Sequence, residues 1–112
     1  MKYIISESKL NDIVFKYLDL NLKGLEKRKS KYYEGIVFAY PDEKYGVLGL
    51  EHDGFLYIKY ELIEEISSNF GLDIYDTKSL IGRWVSDRYQ LEVTDINIVF
   101  IQFMNQLAID TD

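Results

Sequence analysis

The sequence predicts an α+β fold in which a short antiparallel β-meander, about residues 32–60, packs with an N-terminal helix and two or three C-terminal helices. Apolar residues recur at helical spacing near the N-terminus, three strand-like runs separated by turn signals follow, and helical spacing returns after residue 60. Because the strands run together and the helices run together, we do not expect β-α-β units.

Length and composition predict a single domain, residues 1–112. A hydrophobic fraction of 47% suffices for a core without disulfides. The chain has no cysteine and one histidine, His52, which excludes thiolate and multi-imidazole metal sites, so we expect no metal and no cofactor. No apolar run reaches the roughly 18 residues of a membrane span. We therefore expect no membrane association and, by default, a cytoplasmic location.

The net charge of −6 is unevenly distributed, with a balance of +4 in residues 1–31 and −10 in residues 32–112. The basic segment, residues 23–31, contains Lys27, Arg28, Lys29 and Lys31 and is followed by two tyrosines. Cations beside aromatic rings suit a nucleic-acid strand. A solvated linker explains the same residues, and we favour it because charge runs usually face solvent.

Spacing predicts the first helix. Tyr3–Ile5 is a short apolar strand, and Ser6 offers a helix N-cap. The apolar residues that share one helical face are Leu10, Ile13, Val14, Tyr17 and Leu18. Gly24 marks the end of this element.

The opening "MKYIISESKL" resembles the start of many small uncharacterised proteins encoded by tailed bacteriophages, notably marine ones. Those proteins often begin with Met-Lys, three apolar residues, Ser or Thr, Glu and Ser, followed by glutamine where this chain has Lys9. The stretch "LIGRWVSDRYQLEV" after "EISSNFGL" is also similar. The resemblance implies a phage-type origin, and with it a location in the host cytoplasm or in the virion. It transfers no activity or functional residue.

The β-meander is predicted from three runs, residues 32–40, 45–51 and 55–60. Pro41-Asp42 and Asp53-Gly54 are the turn signals between them.

The second hairpin has two possible registers. A two-residue turn would pair Leu50 with Tyr57. A three-residue turn with Gly54 in the left-handed conformation pairs Leu50 with Leu56. The same register also pairs Leu48 with Ile58. We prefer the three-residue turn because it puts four aliphatic side chains on one face.

Tyrosine is abundant, with ten residues in 112, and it is enriched at protein interfaces. On the other face of the sheet, Tyr32, Tyr33, Tyr45, Phe55 and Tyr57 form a candidate partner-binding surface. A helix covering that face is the alternative, and the sequence leaves the choice open.

The C-terminal half predicts two more helices. Residues 60–70 place apolar side chains on one stripe ended by Gly71, and Asp76 or Thr77 caps the next helix. In this helix, "IGRWVSDRY" divides by geometry. Trp84 faces the core with Leu80, Ile81, Val85 and the edge residue Tyr89. Arg83 and Asp87 are expected to pair on the solvent-exposed face, and the aliphatic part of the Arg88 side chain to cover Trp84.

Residues 96–107 are ambiguous. Their apolar positions fit a helix capped by Asp95, which we favour, whereas the β-branched start suits a strand.

The stretch Glu51, His52, Asp53 contains possible metal or proton-transfer groups. Neighbouring strand residues point to opposite faces, so we do not expect these three to converge.

These observations favour a non-enzymatic protein of phage type that binds another protein, or a second copy, through its tyrosine-rich sheet face. A small nucleic-acid-associated protein using the basic segment is the alternative. An enzyme would depend on carboxylates alone, such as Asp73 and Asp76, and nothing in the sequence places these in a pocket.

Overall fold

A computed structural model describes residues 7–110 of the chain, and its architecture is the predicted α+β class. The predicted strand Tyr3–Ile5 and the predicted cap Ser6 lie outside the described residues. The elements, in chain order, are α1 (Glu7–Asn21), β1 (Glu26–Lys29), β2 (Gly35–Ala39), β3 (Leu48–Glu51), β4 (Phe55–Lys59), α2 (Tyr60–Phe70), α3 (Ile74–Tyr89), β5 (Asp95–Val99) and a 3-10 helix (Ile101–Leu107).

The five strands form one sheet in the order β1-β2-β3-β4-β5. Strands β2, β3 and β4 form the predicted antiparallel meander, and β1 adds an antiparallel strand that was not predicted. Strand β5 lies parallel to β4. The connection β4-α2-α3-β5 is therefore a crossover between parallel strands, and the expectation of no β-α-β unit was wrong. A parallel neighbour needs a long connection, which the two helices supply.

The second hairpin has the register that we preferred. Leu50 pairs with Leu56 and Leu48 with Ile58, and Gly54 has a φ of 96°. A left-handed turn residue of this kind favours glycine because any Cβ is strained there.

The inner face of the sheet carries the main core. Side chains of β2, β3 and β4 that alternate toward this face pack against the three helices, whose fully buried residues include Val14, Leu18, Ile63, Ile66 and Ile81. Ile13, which we placed on the buried face of α1, is instead 44% exposed.

Helix α3 has the predicted buried side, with Trp84 only 2% exposed. Its N-cap is Asp73 and not Asp76 or Thr77. The Asp73 carboxylate accepts a hydrogen bond from the backbone N–H of Asp76 at 2.7 Å, so the helix begins earlier than we predicted. Within residues 7–110, the ion pair of this helix joins Arg88 to Asp19, at 3.7 Å, and not Arg83 to Asp87.

Residues 96–107 contain both of the predicted alternatives in succession. The β-branched start forms β5, and the helix favoured for the whole segment is replaced by the 3-10 helix. Ile96 and Ile98 are the register partners of the buried Leu56 and Ile58. Pairing with the edge of β4 lets both isoleucines reach the core, which overrides the helical spacing.

The basic segment is not a linker, because residues 26–29 form edge strand β1. Lys27 pairs with the core residue Phe38 across the β1–β2 ladder, and Arg28 pairs with Val37. Hydrogen bonding to β2 determines its conformation although its side chains are charged.

The outer face of the sheet is partly covered by the C-terminal segment, which we define as residues 100–110. Its last residues are hydrogen-bonded on both sides: Lys31 N–H donates to Ala108 and Asp110 N–H to the carbonyl of Lys29, while Gly46 N–H donates to Leu107. Ile109 forms a small second core with Val37 and Ala39 of β2. The covering element is thus the 3-10 helix together with the extended residues that follow it, and not an α-helix.

Within residues 7–110, no helix combines the length and apolar character needed to cross a bilayer.

Candidate functional site

Three aromatic side chains form a row on the outer face, beside the C-terminal segment. The ring centroids of Tyr33 and Tyr57 are 5.4 Å apart, and those of Tyr57 and Phe55 are 5.2 Å apart. All three side chains are half-buried. We call Tyr33, Tyr57 and Phe55 the aromatic row. The alternation along β4 predicted the outward orientation of Phe55 and Tyr57, and the structure shows it.

Gly49 forms the floor beneath this row. It is the register partner of Tyr57, and a Cβ at this position would overlap the hydroxyl of Tyr33. Because Gly49 has no side chain, the side chain of Tyr33 can lie across the outer face of the sheet and donate a hydrogen bond to the carbonyl of Gln106 at 2.8 Å. This bond fastens the C-terminal segment to the outer face.

Burial controls the ionisation of the row. Desolvation raises the pKa of Tyr33 far above its ordinary value of 10.0, and it also raises the pKa of Tyr57, with a smaller contribution from the charge of Glu51. Both hydroxyls therefore stay neutral across the physiological range and act as hydrogen-bonding groups. Nothing in the row provides a base that is ionised near neutral pH.

The other two predicted surface tyrosines lie apart from the row. Tyr32 is 58% exposed, and the ammonium of Lys31 lies 5.4 Å from its ring centroid. Tyr45 is 46% exposed and pairs through its backbone with Ala108. Among the described residues, neither ring contacts the row. The predicted five-residue surface is therefore a row of three and two separate exposed rings.

A shallow cleft of about 190 Å³ separates Tyr57 from the C-terminal segment. Tyr57, Asn97 and Val99 line its sheet side, and Phe103 and Gln106 line the other. Phe103 is 60% exposed, so an aromatic ring stands on each side of the cleft. A partner side chain inserted here would meet the two aromatic residues and also the amide residues Asn97 and Gln106, one on each side of the cleft.

The C-terminal segment also exposes apolar side chains, and two of them, Phe100 and Phe103, belong to the face that helical spacing predicted as buried. Phe100, Ile101 and Phe103 are 44%, 76% and 60% exposed. Phe100 stacks on Tyr60 with ring centroids 5.0 Å apart. The run of apolar residues in "IVFIQFM" was the available signal, but helical spacing explained it as core. Exposed apolar clusters of this kind often mark interaction surfaces.

Several cations of the basic segment already have neighbours within the chain. Lys27 lies 5.6 Å from the ring centroid of Tyr89, and Lys29 pairs with Asp110 at 3.9 Å. Such surface contacts are weak. They nevertheless give Lys27 and Lys29 different neighbours within the chain.

Glu51, His52 and Asp53 lie around the turn after β3, on the rim of a cleft of about 310 Å³ that Glu34 and Glu92 also line. The His52 N–H donates to the carbonyl of Glu34 at 2.8 Å, and the Asp53 carboxylate accepts from the N–H of Phe55 at 3.3 Å. Within residues 7–110, no group of three histidine, aspartate or glutamate side chains is arranged to hold a metal ion. Their hydrogen bonds fit a role in the turn.

Comparison of the chain with protein-family models, with curated proteins and with solved structures found no match.

Proposed function

We propose that this chain is a non-enzymatic interaction protein of phage type, which binds a protein partner through the aromatic row and the cleft beside it. The observation that supports the proposal is the half-exposed ring of Tyr57 facing the exposed ring of Phe103 across that cleft. Aromatic side chains of this kind frequently dominate binding energy, because they bring large area with few rotatable bonds.

The chemistry of the row favours binding over catalysis. Its tyrosine hydroxyls have raised pKa values, and one of them is already donated to the Gln106 carbonyl. A tyrosine kept neutral offers area and a hydrogen bond, but no ionised base at physiological pH. This supports a recognition role in the host cell or in the virion.

The alternative, a nucleic-acid-associated protein using Lys27, Arg28, Lys29 and Lys31, has less support. Three of its residues lie on edge strand β1, where Lys27 and Lys29 have different neighbours within the chain. Affinity for nucleic acid depends on several cations reaching phosphates together.

The test is Tyr57→Ala, with Tyr32→Ala as the matched control outside the row. Tagged protein is used to recover partners from native cells, and the melting temperature is measured on the same preparations. We expect Tyr57→Ala to lose at least tenfold of the recovered partner, while Tyr32→Ala retains it. Equal recovery by both variants would show that Tyr57 does not bind the partner, and a collapse of the melting temperature for Tyr57→Ala alone would show that Tyr57 is part of the core.

A further inference from the structure

Strand β5 ends the sheet, and its second edge faces away from β4. Within residues 7–110, β5 pairs with β4 alone. The N–H of Lys59 donates to the carbonyl of Val47, on the side of β4 that faces β3. Backbone groups alternate in direction along a strand, so Leu56 and Ile58 direct their N–H groups to the other side, toward β5. In each register pair of a parallel ladder, only one of the two residues forms backbone hydrogen bonds to the other strand. Leu56 and Ile58 are the bonding residues here, so their partners Ile96 and Ile98 direct their backbone groups to the open edge.

One contact at this edge supports that assignment. The N–H of Ile96 is taken by the side chain of Asp95, whose Oδ1 lies 2.8 Å away. A carboxylate that occupies an edge donor is one of the ways in which proteins limit pairing between strands. Among the described residues, no strand pairs with the carbonyls of Ile96 and Ile98 or with the N–H of Ile98, so these groups are available to an incoming strand.

We infer that the open edge of β5 is a self-association site, at which a second copy of the chain pairs its own β5 antiparallel about a two-fold axis through Asn97. The inference goes beyond the proposed function, because it names the backbone edge of β5 and its occupant. Asn97 belongs to both regions, since it also lines the cleft beside Tyr57. In this register Ile96 lies opposite Ile98 of the second copy, and their outward backbone groups form the hydrogen-bonded pairs.

The side chains suit this register. Ile96 and Ile98 share the inner face of the sheet, so the two-fold axis joins two pairs of isoleucines into one apolar row. Asp95 falls opposite Val99 of the second copy and not opposite another Asp95. The edge therefore brings no like charges directly together.

The two ends of the edge are complementary to each other. At its start, Tyr75 and Val93 line a groove between α3 and β5, and Tyr75 is 76% exposed. At its end stand Phe100 and Ile101, also exposed. Antiparallel pairing places each copy's end against the other copy's start, so Phe100 and Ile101 would cover Tyr75 in a groove that polar residues such as Lys78 and Ser79 also line.

The available area fits a weak dimer. A fully buried aromatic ring removes about 150–250 Å² from water, and a standard interface buries about 800 Å² on each partner. The exposed rings and Ile101 supply on the order of half of that area, and the paired strands supply more. The bond from Ile96 to Asp95 must open on docking, which lowers the affinity.

The association closes on itself as a dimer. At the opposite end of the sheet, the outer edge of β1 is bonded at Lys29 and Lys31 to the C-terminal segment. A two-fold contact uses the same edge on both copies, so pairing through β5 leaves no second β5 edge for a third copy.

The sharpest test is a disulfide at the proposed axis, because the chain has no cysteine of its own. Residues opposite each other in a non-hydrogen-bonded antiparallel pair have Cα atoms about 4.5 Å apart, within the range that a disulfide spans. We expect oxidised Asn97→Cys to run mainly as a covalent dimer on a non-reducing gel. Asn105→Cys, also exposed, is the matched control and should stay mainly monomeric.

Sedimentation across a concentration series provides the second measurement. The parent should form dimers as its concentration rises, Asn97→Lys should weaken the dimer at least tenfold, and Asn105→Lys should not. A parent that stays monomeric at about 100 µM, a concentration at which any dissociation constant of biological interest would show, overturns the inference. So does equal cross-linking of the two cysteine variants. Either failure leaves the partner recovery of Tyr57→Ala unaffected, so the two proposals are tested separately.

Discussion

The indole N–H of Trp84 donates a hydrogen bond to Asp19, with Nε1 and Oδ1 separated by 2.9 Å, and this bond joins α3 to α1. Trp84 is the only tryptophan of the chain and is almost completely buried. A buried indole normally finds a polar partner, and here a carboxylate near the end of α1 provides it. The same carboxylate pairs with Arg88, so one acidic side chain connects two residues of α3.

Trp84→Ala should therefore be strongly destabilising. Removing a large buried side chain costs about 3–5 kcal/mol, and the loss of the bond to Asp19 adds to the cavity. Arg83→Ala, on the exposed side of the same helix, should change the free energy of unfolding by no more than about 0.5 kcal/mol. Urea denaturation of both variants measures the difference. Similar small losses for the two would show that Trp84 is not a core residue.

The stability of the protein should fall at alkaline pH because of Tyr33. Its pKa is raised in the folded state, so above about pH 10 the unfolded chain loses this proton while the folded protein keeps it. The unfolded state then binds fewer protons, and the free energy of unfolding decreases as the pH rises. Below that pH the contribution of the group is fully present.

Tyr33→Phe removes this titration and the hydrogen bond to Gln106. We expect the variant to lose about 1 kcal/mol at neutral pH and to show a shallower decline in stability between pH 10 and 11. Tyr32→Phe, at an exposed position, is the control and should follow the parent. Denaturation curves at each pH give both slopes. Identical slopes for the parent and Tyr33→Phe would contradict the burial of this hydroxyl.

Gly49→Ala should loosen the C-terminal segment. The new Cβ would overlap the Tyr33 hydroxyl and lie 3.0 Å from the Gln106 carbonyl, so we expect a cost of about 1–3 kcal/mol. In a Tyr33→Ala background the same substitution should cost less, because one of the two obstructions is gone. A double-mutant cycle measures this coupling, and additive effects would mean that the two residues do not meet.

The parent protein should show no measurable binding to DNA or RNA at physiological salt. Lys27 and Lys29 have separate neighbours within the chain, and the net charge is −6. Filter binding at two salt concentrations checks this, since phosphate contacts weaken steeply as salt rises. If binding is micromolar and salt-sensitive, changing Lys27, Arg28, Lys29 and Lys31 to glutamine should abolish it, and the ranking of the two functions would reverse.

The sequence by itself determined the features that depend on neighbouring residues. Helical spacing located the buried side of α3 around Trp84, and Gly71 ends α2 in the left-handed conformation that its position predicted. The turn at Gly54 fixed the register of the second hairpin because only one register collects the aliphatic side chains on one face. These features require no knowledge of distant parts of the chain.

Only the tertiary structure decided what the distant segments do. The charged residues of β1 form a strand because β2 supplies their hydrogen bonds, and residues 95–99 form a strand because β4 offers an edge that takes Ile96 and Ile98 into the core. The sequence predicted the outward orientation of the aromatic row but not that the C-terminal segment lies beside it. The hydrogen bond from Tyr33 to Gln106 that fastens this segment joins residues 73 positions apart. Local propensity differs little between such alternatives, and burial against a distant partner decides between them.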